Sequence, residues 1–148
     1  MKTLKVLLGI ILVLCIALFL YNRFFRLKNL QIYTENGIID YKVEIASTPE
    51  QQQTGLMYRE HLAQNTGMIF LFQAPRVANM WMKNTLIPLD MIFFDKTGRI
   101  VATHYHANPH DETVISSNVP VAGVLEINAG ELERNQIRLN DHLILDNF

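Results

Sequence analysis

Residues 30–45 read LQIYTENGIIDYKVEI, and this stretch sets the expectation for the fold. Both halves have the composition of β-strands, and in the second half Tyr41, Val43 and Ile45 alternate with charged residues. The dipeptide Asn36-Gly37 between the halves favours a tight turn, because both residues tolerate positive φ. The sequence therefore predicts an antiparallel hairpin with one buried face.

Short apolar runs of the same kind continue along the chain. They predict strands at 67–72 (ending near Pro75), 78–83, 89–94, 99–106, 121–127 and 142–145, with a polar loop at 108–120. One short helix should start at Thr48, because Gln51 three residues later completes a capping box, and another is expected at 130–136. Without regular strand–helix alternation, this pattern predicts a mainly β (α+β) domain, as a small barrel or a rolled antiparallel sheet.

Residues 1–28 differ in character from the rest of the chain. Between Val6 and Leu20 there is no charged or strongly polar residue, lysines precede this run, and three cations follow it. Since no small residues follow to make a cleavage site, residues 6–21 are expected to be an uncleaved transmembrane helix, with a cleaved signal peptide as the alternative. We expect a single-pass protein of the bacterial inner membrane, with its globular domain, residues 29–148, in the periplasm or otherwise outside the cytoplasm.

The charge of the two segments is opposite. Residues 1–28 have five Lys/Arg and no acid, whereas residues 29–148 have eight Lys/Arg and fourteen Asp/Glu, a formal charge of −6. An acidic domain is a poor partner for nucleic acid, because phosphate binding needs a cationic face. The single cysteine, Cys15, lies in the apolar run, so the domain has no disulfide or thiolate site.

The segment 79–90, NMWMKNTLIPLD, is the most unusual of the domain. It contains the only tryptophan, and Trp81 could form a wall of a pocket with Lys83, Asn84 and Asp90 as polar contacts. Alternatively, the tryptophan is part of the core and the polar residues cap a turn.

Two weaker patterns suggest other chemistry. His104, His106 and His110 could form a metal site, because the first two would share a face of a strand, although the spacing matches no strong zinc signature. Asp90 and Glu126, each within or beside an apolar strand, could instead be the carboxylate pair of a hydrolase, with Arg59 available to pair with either acid.

Several segments together resemble the family known as domain of unknown function 192, from about residue 30 to residue 148. The resemblance is carried by GLMYR at 55–59, GMIF at 67–70, WMKNT at 81–85, IPLD at 87–90 and LEINAG at 125–130. It implies a compact, mostly β domain that often follows a signal or anchor, and no established reaction. The family often has a His-Glu-Asn stretch before a loop proline, and this chain departs from that pattern with HYHANP at 104–109.

The leading hypothesis is a non-catalytic, membrane-tethered envelope domain that binds a small molecule, glycan or protein partner. Its candidate ligand-binding residues are Arg59, Trp81, Lys83, Asn84 and Asp90. The chain has no nucleophile elbow, phosphate loop, dinucleotide fingerprint or HExxH motif, so no cofactor is predicted and catalysis is disfavoured.

Overall fold

The structure, a computed structural model, describes residues 7, 9–13, 15, 26–146 and 148. Residues 9–13 are helical. Within these described parts of the chain, no helix is both long and apolar enough to span a bilayer. Most of the anchor predicted over residues 6–21 lies outside the described residues.

The domain is a single mixed sheet of seven strands with two short helices. In spatial order the strands are β5-β4-β6-β3-β2-β1-β7. Their bounds are β1 Arg26–Thr34, β2 Gly37–Ala46, β3 Thr66–Met80, β4 Leu89–Phe94, β5 Ile100–Ala107, β6 Ile115–Asn128 and β7 His142–Ile144; the helices are α1 Pro49–Thr54 and α2 Glu131–Arg134. The sheet curls into a half-barrel, which confirms the mainly β prediction.

The two outer strands of the sheet meet at one end of the half-barrel. Arg99, next to β5, forms an isolated antiparallel bridge with His142 of β7. Gly98 accepts a backbone hydrogen bond from Leu143 (2.8 Å) and has φ of +83°. A side chain at Gly98 would collide with the backbone of Leu143, so this contact requires glycine. The bridge therefore limits how much free edge the sheet presents.

One strand pair differs from the expected antiparallel arrangement. Strands β2 and β3 are parallel, because the chain crosses over through α1 between them. The capping box predicted at Thr48 and Gln51 is present at the start of α1. Gln52 then fixes the helix to the sheet, since its side-chain amide donates to the carbonyls of Leu71 (2.8 Å) and Ala46 (3.3 Å).

Three local predictions are corrected. The first hairpin turns at residues 35 and 36, one residue earlier than expected, because Thr34 pairs with Gly37 and its hydroxyl accepts the Asn36 N–H. Strand β3 continues through Pro75, which falls in a register irregularity where no ladder hydrogen bond is required. Strand β6 already begins at Ile115, inside the predicted loop.

Apolar side chains cover both faces of the central strands. On one face, Met68, Phe70, Met91, Phe93 and Val124 form part of a buried cluster beneath α1 and the segment after β3. The other face is the interior of the half-barrel and is filled by a second cluster, which includes Ile69, Ile92, Phe94, Leu125 and Ile127. Every residue of β4 is buried, which explains its uninterrupted apolar sequence.

Candidate functional site

A cleft lies between the C-terminal end of α1, strand β3 and the segment that follows β3. It holds a cavity of about 120 Å³ and is partly open to solvent. The lining combines polar and apolar side chains from four parts of the chain: residues 52–57, Phe70, Phe72, Arg76, residues 79–81, Lys83, Thr85 and Glu126. Four of the segments that carry the family resemblance, 55–59, 67–70, 81–85 and 125–130, thus contribute to one concave surface.

Glu126 is the one acidic residue of this lining. In the sheet it stands between Met68 of β3 and Met91 of β4, both fully buried, and it is itself only 4% exposed. Its carboxyl forms no hydrogen bond or ion pair with any other described residue. Burial raises the pKa of Glu126 from its ordinary 4.5 to about 8. At neutral pH the group is therefore mostly protonated and can donate a hydrogen bond into the cleft.

Two cations line the same cleft, and each lies against an aromatic ring. The Arg76 guanidinium is 3.8 Å from the centroid of the Phe72 ring. The Lys83 ammonium is 5.9 Å from the ring of Trp81, which is 49% exposed. Neither cation has an acidic partner in the described part of the chain. Cation–π contacts orient such side chains without neutralising their charge.

The turn after α1 approaches the sheet closely. Gly55 has φ of +48°, and a Cβ on it would lie 3.2 Å from the ring of Phe70. Glycine is thus the residue that lets this turn pass over Phe70 at the edge of the cleft.

The structure separates the residues that the sequence grouped as one site. Trp81 and Lys83 line the cleft with Glu126. The side-chain amide of Asn84 instead donates to the hydroxyl of Tyr58 (2.8 Å), next to the cleft. Arg59 lies elsewhere and forms a two-point ion pair with Glu44, at 2.5 and 2.6 Å.

Asp90 lies on the face of the sheet opposite to Glu126, where it has a structural role. It pairs across the ladder with Ile127, whereas Glu126 pairs with Met91, and cross-strand partners share a face. The buried carboxyl of Asp90 accepts the backbone N–H groups of His106 (2.9 Å) and Leu132 (3.0 Å). It therefore fixes the end of β5 and helix α2. The geometry does not bring Asp90 and Glu126 together as the carboxylate pair of a hydrolase.

The structure likewise does not bring together the histidines that were considered as metal ligands. A bulge in β5, where β4 advances two residues and β5 three, breaks the alternation expected to place His104 and His106 on one face. The ring of His106 lies 3.1 Å from the carboxylate of Glu133. No group of three or more His, Cys, Asp or Glu side chains that could hold a metal ion occurs among the residues described.

Sequence reasoning missed two contributions. Arg76 lies beside Pro75, which was expected to end a strand. The only indication of its role in the sequence was that it is a cation near aromatic residues. Glu131 was also overlooked: it is fully buried, accepts the backbone N–H of Asn65 (3.1 Å) and forms an ion pair with Arg134 (3.0 Å). Burial, together with this nearby carboxylate, raises the pKa of Tyr41.

Comparison with known proteins gives a family but no activity. The profile of domain of unknown function 192, described as an uncharacterized ACR, matches residues 31–145. A "putative transcription regulator" from Sinorhizobium meliloti 1021 is 42% identical, with a TM-score of 0.80 over 81% of this chain and 94% of that one. A protein of unknown function from Novosphingobium aromaticivorans is 36% identical, with a TM-score of 0.78 over 80% and 84%. No curated protein matched. The chain therefore belongs to the domain of unknown function 192 family.

Proposed function

We propose that this protein binds a small molecule in the cleft, with the carboxyl of Glu126 as one of its polar contacts. The observation that carries the proposal is a residue, Glu126, that is 96% removed from solvent, whose carboxyl has no partner among the described residues and lines an open cleft. Burying such a group without a hydrogen bond is unfavourable, and a ligand that bonds to it offsets the cost.

The size and lining of the cleft support a small molecule over a glycan or a protein. The cavity of about 120 Å³ is smaller than the roughly 300–1,000 Å³ of sites for drug-sized ligands, so it can take only a compact molecule; like such sites, it combines apolar walls with a few polar groups. Here the walls include Phe70, Phe72 and Met80, and the polar groups are Glu126 and the two cations.

The single tryptophan provides the experiment. Because Trp81 lines the cleft and is the only tryptophan of the chain, its fluorescence reports on occupancy without a label. We would titrate the full chain in mild detergent with a library of small amines, carboxylates, zwitterions and neutral polar compounds. Some should change the Trp81 emission in a saturable way, and Glu126→Gln should weaken the best of them about tenfold, a change of about 1.4 kcal/mol.

The matched control is Tyr33→Ala, which removes another half-exposed aromatic side chain, on β1, outside the cleft. It should leave every titration unchanged. The proposal fails if no compound gives a saturable change, or if binding is equally insensitive to Glu126→Gln and Tyr33→Ala.

We further propose that residues 6–21 anchor the domain on the outer side of a bacterial inner membrane. The uncharged run of residues 6–20 and its flanking cations support this. The full chain should then resist alkaline extraction from membranes, and protease added to spheroplasts should cleave it. Recovery in the soluble fraction, or protection until the cells are lysed, would contradict the proposal.

The description of the Sinorhizobium meliloti relative does not lead us to propose nucleic-acid binding. A formal charge of −6 over residues 29–148 repels phosphate, and the two cations of the cleft are too few to form a basic face.

A further inference from the structure

The side chains that line the cleft together with Glu126 favour one kind of charged group on a ligand. Glu126 is the only acid that lines the cleft, and thioether and aromatic side chains, among them Met57, Phe70 and Trp81, line it too. A carboxyl without a partner can donate a hydrogen bond to an acceptor while it is protonated, or it can ionise and pair with a cation. Aromatic faces attract cations and not anions. This part of the cleft therefore suits an ammonium group.

The two cationic side chains of the cleft favour an anionic group on the ligand. Arg76 and Lys83 are the two cations in the lining, and neither is paired with an acid among the described residues. A ligand with only an ammonium group would be repelled by both. A ligand that also presents a carboxylate or a similar anion would instead form charge-assisted hydrogen bonds with them.

We propose that the ligand is a small zwitterion, an amino acid or a related amine-bearing acid, whose ammonium group contacts Glu126 and whose anionic group contacts Arg76 and Lys83. This inference rests on the proposed function of the same cleft. It adds the chemical class of the ligand, and assigns a separate charge to each side of the cleft.

Binding of this kind has a defined proton balance. Near pH 7 the carboxyl of Glu126 holds its proton in the free protein, because burial raises its pKa to about 8. An ammonium group stabilises the ionised carboxylate, so the proton leaves to the buffer while the ligand keeps its own charge. The other charged groups of the lining, Arg76 and Lys83, contact the anionic end of the ligand. Close to one proton per bound ligand should therefore be released.

The test uses compounds of matched length. The full chain is titrated, by Trp81 emission and by calorimetry, with glycine, β-alanine, γ-aminobutyrate and ε-aminocaproate, and with the n-alkylamine and n-alkyl carboxylate of each length. We expect one of the amino acids to bind at least about tenfold tighter than either single-charge analogue. Calorimetry in buffers of different ionisation enthalpy should show release of nearly one proton.

The variants separate the two ends of the ligand. Glu126→Gln should remove the proton release and weaken the best amino acid about tenfold, while the alkyl carboxylates bind as before. Arg76→Gln and Lys83→Gln should weaken the amino acid and the carboxylates, while the alkylamines are not weakened. Tyr33→Ala should change none of these titrations.

Two results would overturn the inference and leave the proposed function standing. In the first, alkyl carboxylates or alkylamines bind as well as the amino acids and no proton is released. In the second, no compound of the series alters Trp81 emission while neutral members of the wider library do. If no compound of either set binds, the proposed function fails together with the inference.

Discussion

Tyr58 and Asn84 are joined by two hydrogen bonds, and both have a left-handed backbone, with φ of 62° and 54°. The backbone N–H of Tyr58 donates to the carbonyl of Asn84 (2.9 Å), and the side-chain amide of Asn84 donates to the hydroxyl of Tyr58 (2.8 Å). The pair ties the turn after α1 to the segment after β3, and both of these segments line the cleft. Two residues in a sparsely populated conformation thus hold the cleft in shape.

Replacing Asn84 should distinguish its backbone role from its side-chain role. Asn84→Gly removes the side-chain bond but keeps the conformation, so we expect a loss of about 1 kcal/mol in the free energy of unfolding. Asn84→Ala adds the strain of a left-handed alanine and should cost about 1 kcal/mol more. Urea denaturation measures both. The pair Asn118→Gly and Asn118→Ala, at another left-handed asparagine outside the cleft, is the control for strain alone. Equal stability of the two Asn84 variants would contradict this account.

Glu126 should make the protein less stable as the pH rises. The unfolded chain releases this proton near pH 4.5, whereas the folded protein retains it until about pH 8. Between these values the folded state binds more protons, so the unfolding free energy falls with pH, by at most roughly 1.4 kcal/mol per unit from this group. Glu126→Gln, which cannot ionise, should lack this component and become the more stable protein above pH 8.

The measurement is urea denaturation at several pH values from 4 to 9 for wild type, Glu126→Gln and the exposed control Glu112→Gln. The control should follow the wild type throughout. Parallel curves for wild type and Glu126→Gln would show that the buried carboxyl does not retain its proton.

Asp90 should matter for stability and not for the cleft. The carboxyl of Asp90 accepts the backbone N–H groups of His106 and Leu132. In Asp90→Asn one acceptor oxygen remains, but the side-chain NH₂ group faces the other backbone N–H, and two donors cannot form a hydrogen bond. We expect a loss of about 3 kcal/mol in the free energy of unfolding. Asp40→Asn, which alters an exposed side-chain hydrogen bond, should cost less than about 0.5 kcal/mol. A specific loss of ligand response by folded Asp90→Asn would place Asp90 in the site.

Replacing Arg59 should likewise change the stability of the protein and not ligand binding in the cleft. Arg59→Lys cannot reproduce the two-point contact with Glu44 and should cost about 1 kcal/mol, because this pair is mostly removed from solvent. Arg138→Lys, at the exposed pair with Glu35, should be neutral. Denaturation midpoints of both variants test this, and a smaller effect at Arg59 than at Arg138 would refute it.

Local patterns in the sequence predicted much of the sheet. Alternation in residues 39–45, the capping box at Thr48 and the apolar run of β4 each depend on near neighbours, and the structure confirms them. The parallel pairing of β2 with β3 could not be read this way, because it depends on how α1 packs. Strand β3 was divided at Pro75, because the register irregularity that accommodates a proline is a property of the strand pair and not of either strand.

The candidate site shows the same limit. Trp81, Lys83 and Glu126 were singled out from residue type, and they do line one cleft. Asp90 was grouped with them because it is an acid beside an apolar strand. Asp90 pairs with Ile127, whereas Glu126 pairs with Met91, the residue after Asp90. Because of this one-residue offset, the two carboxyls lie on opposite faces of the sheet. Such an offset follows from the register of β4 against β6, which no local pattern shows.

The position of β7 governs the order in which the domain can be completed. Strand β1 lies between β2 and β7, so the earliest strand of the sheet has one neighbour synthesised directly after it and another synthesised last. Until residues 142–144 leave the ribosome, β1 has an unpaired side and the turn at Gly98 lacks its contact with Leu143. During synthesis the chain therefore carries an open edge on β1 until β7 has emerged, and pairing with β7 covers that edge.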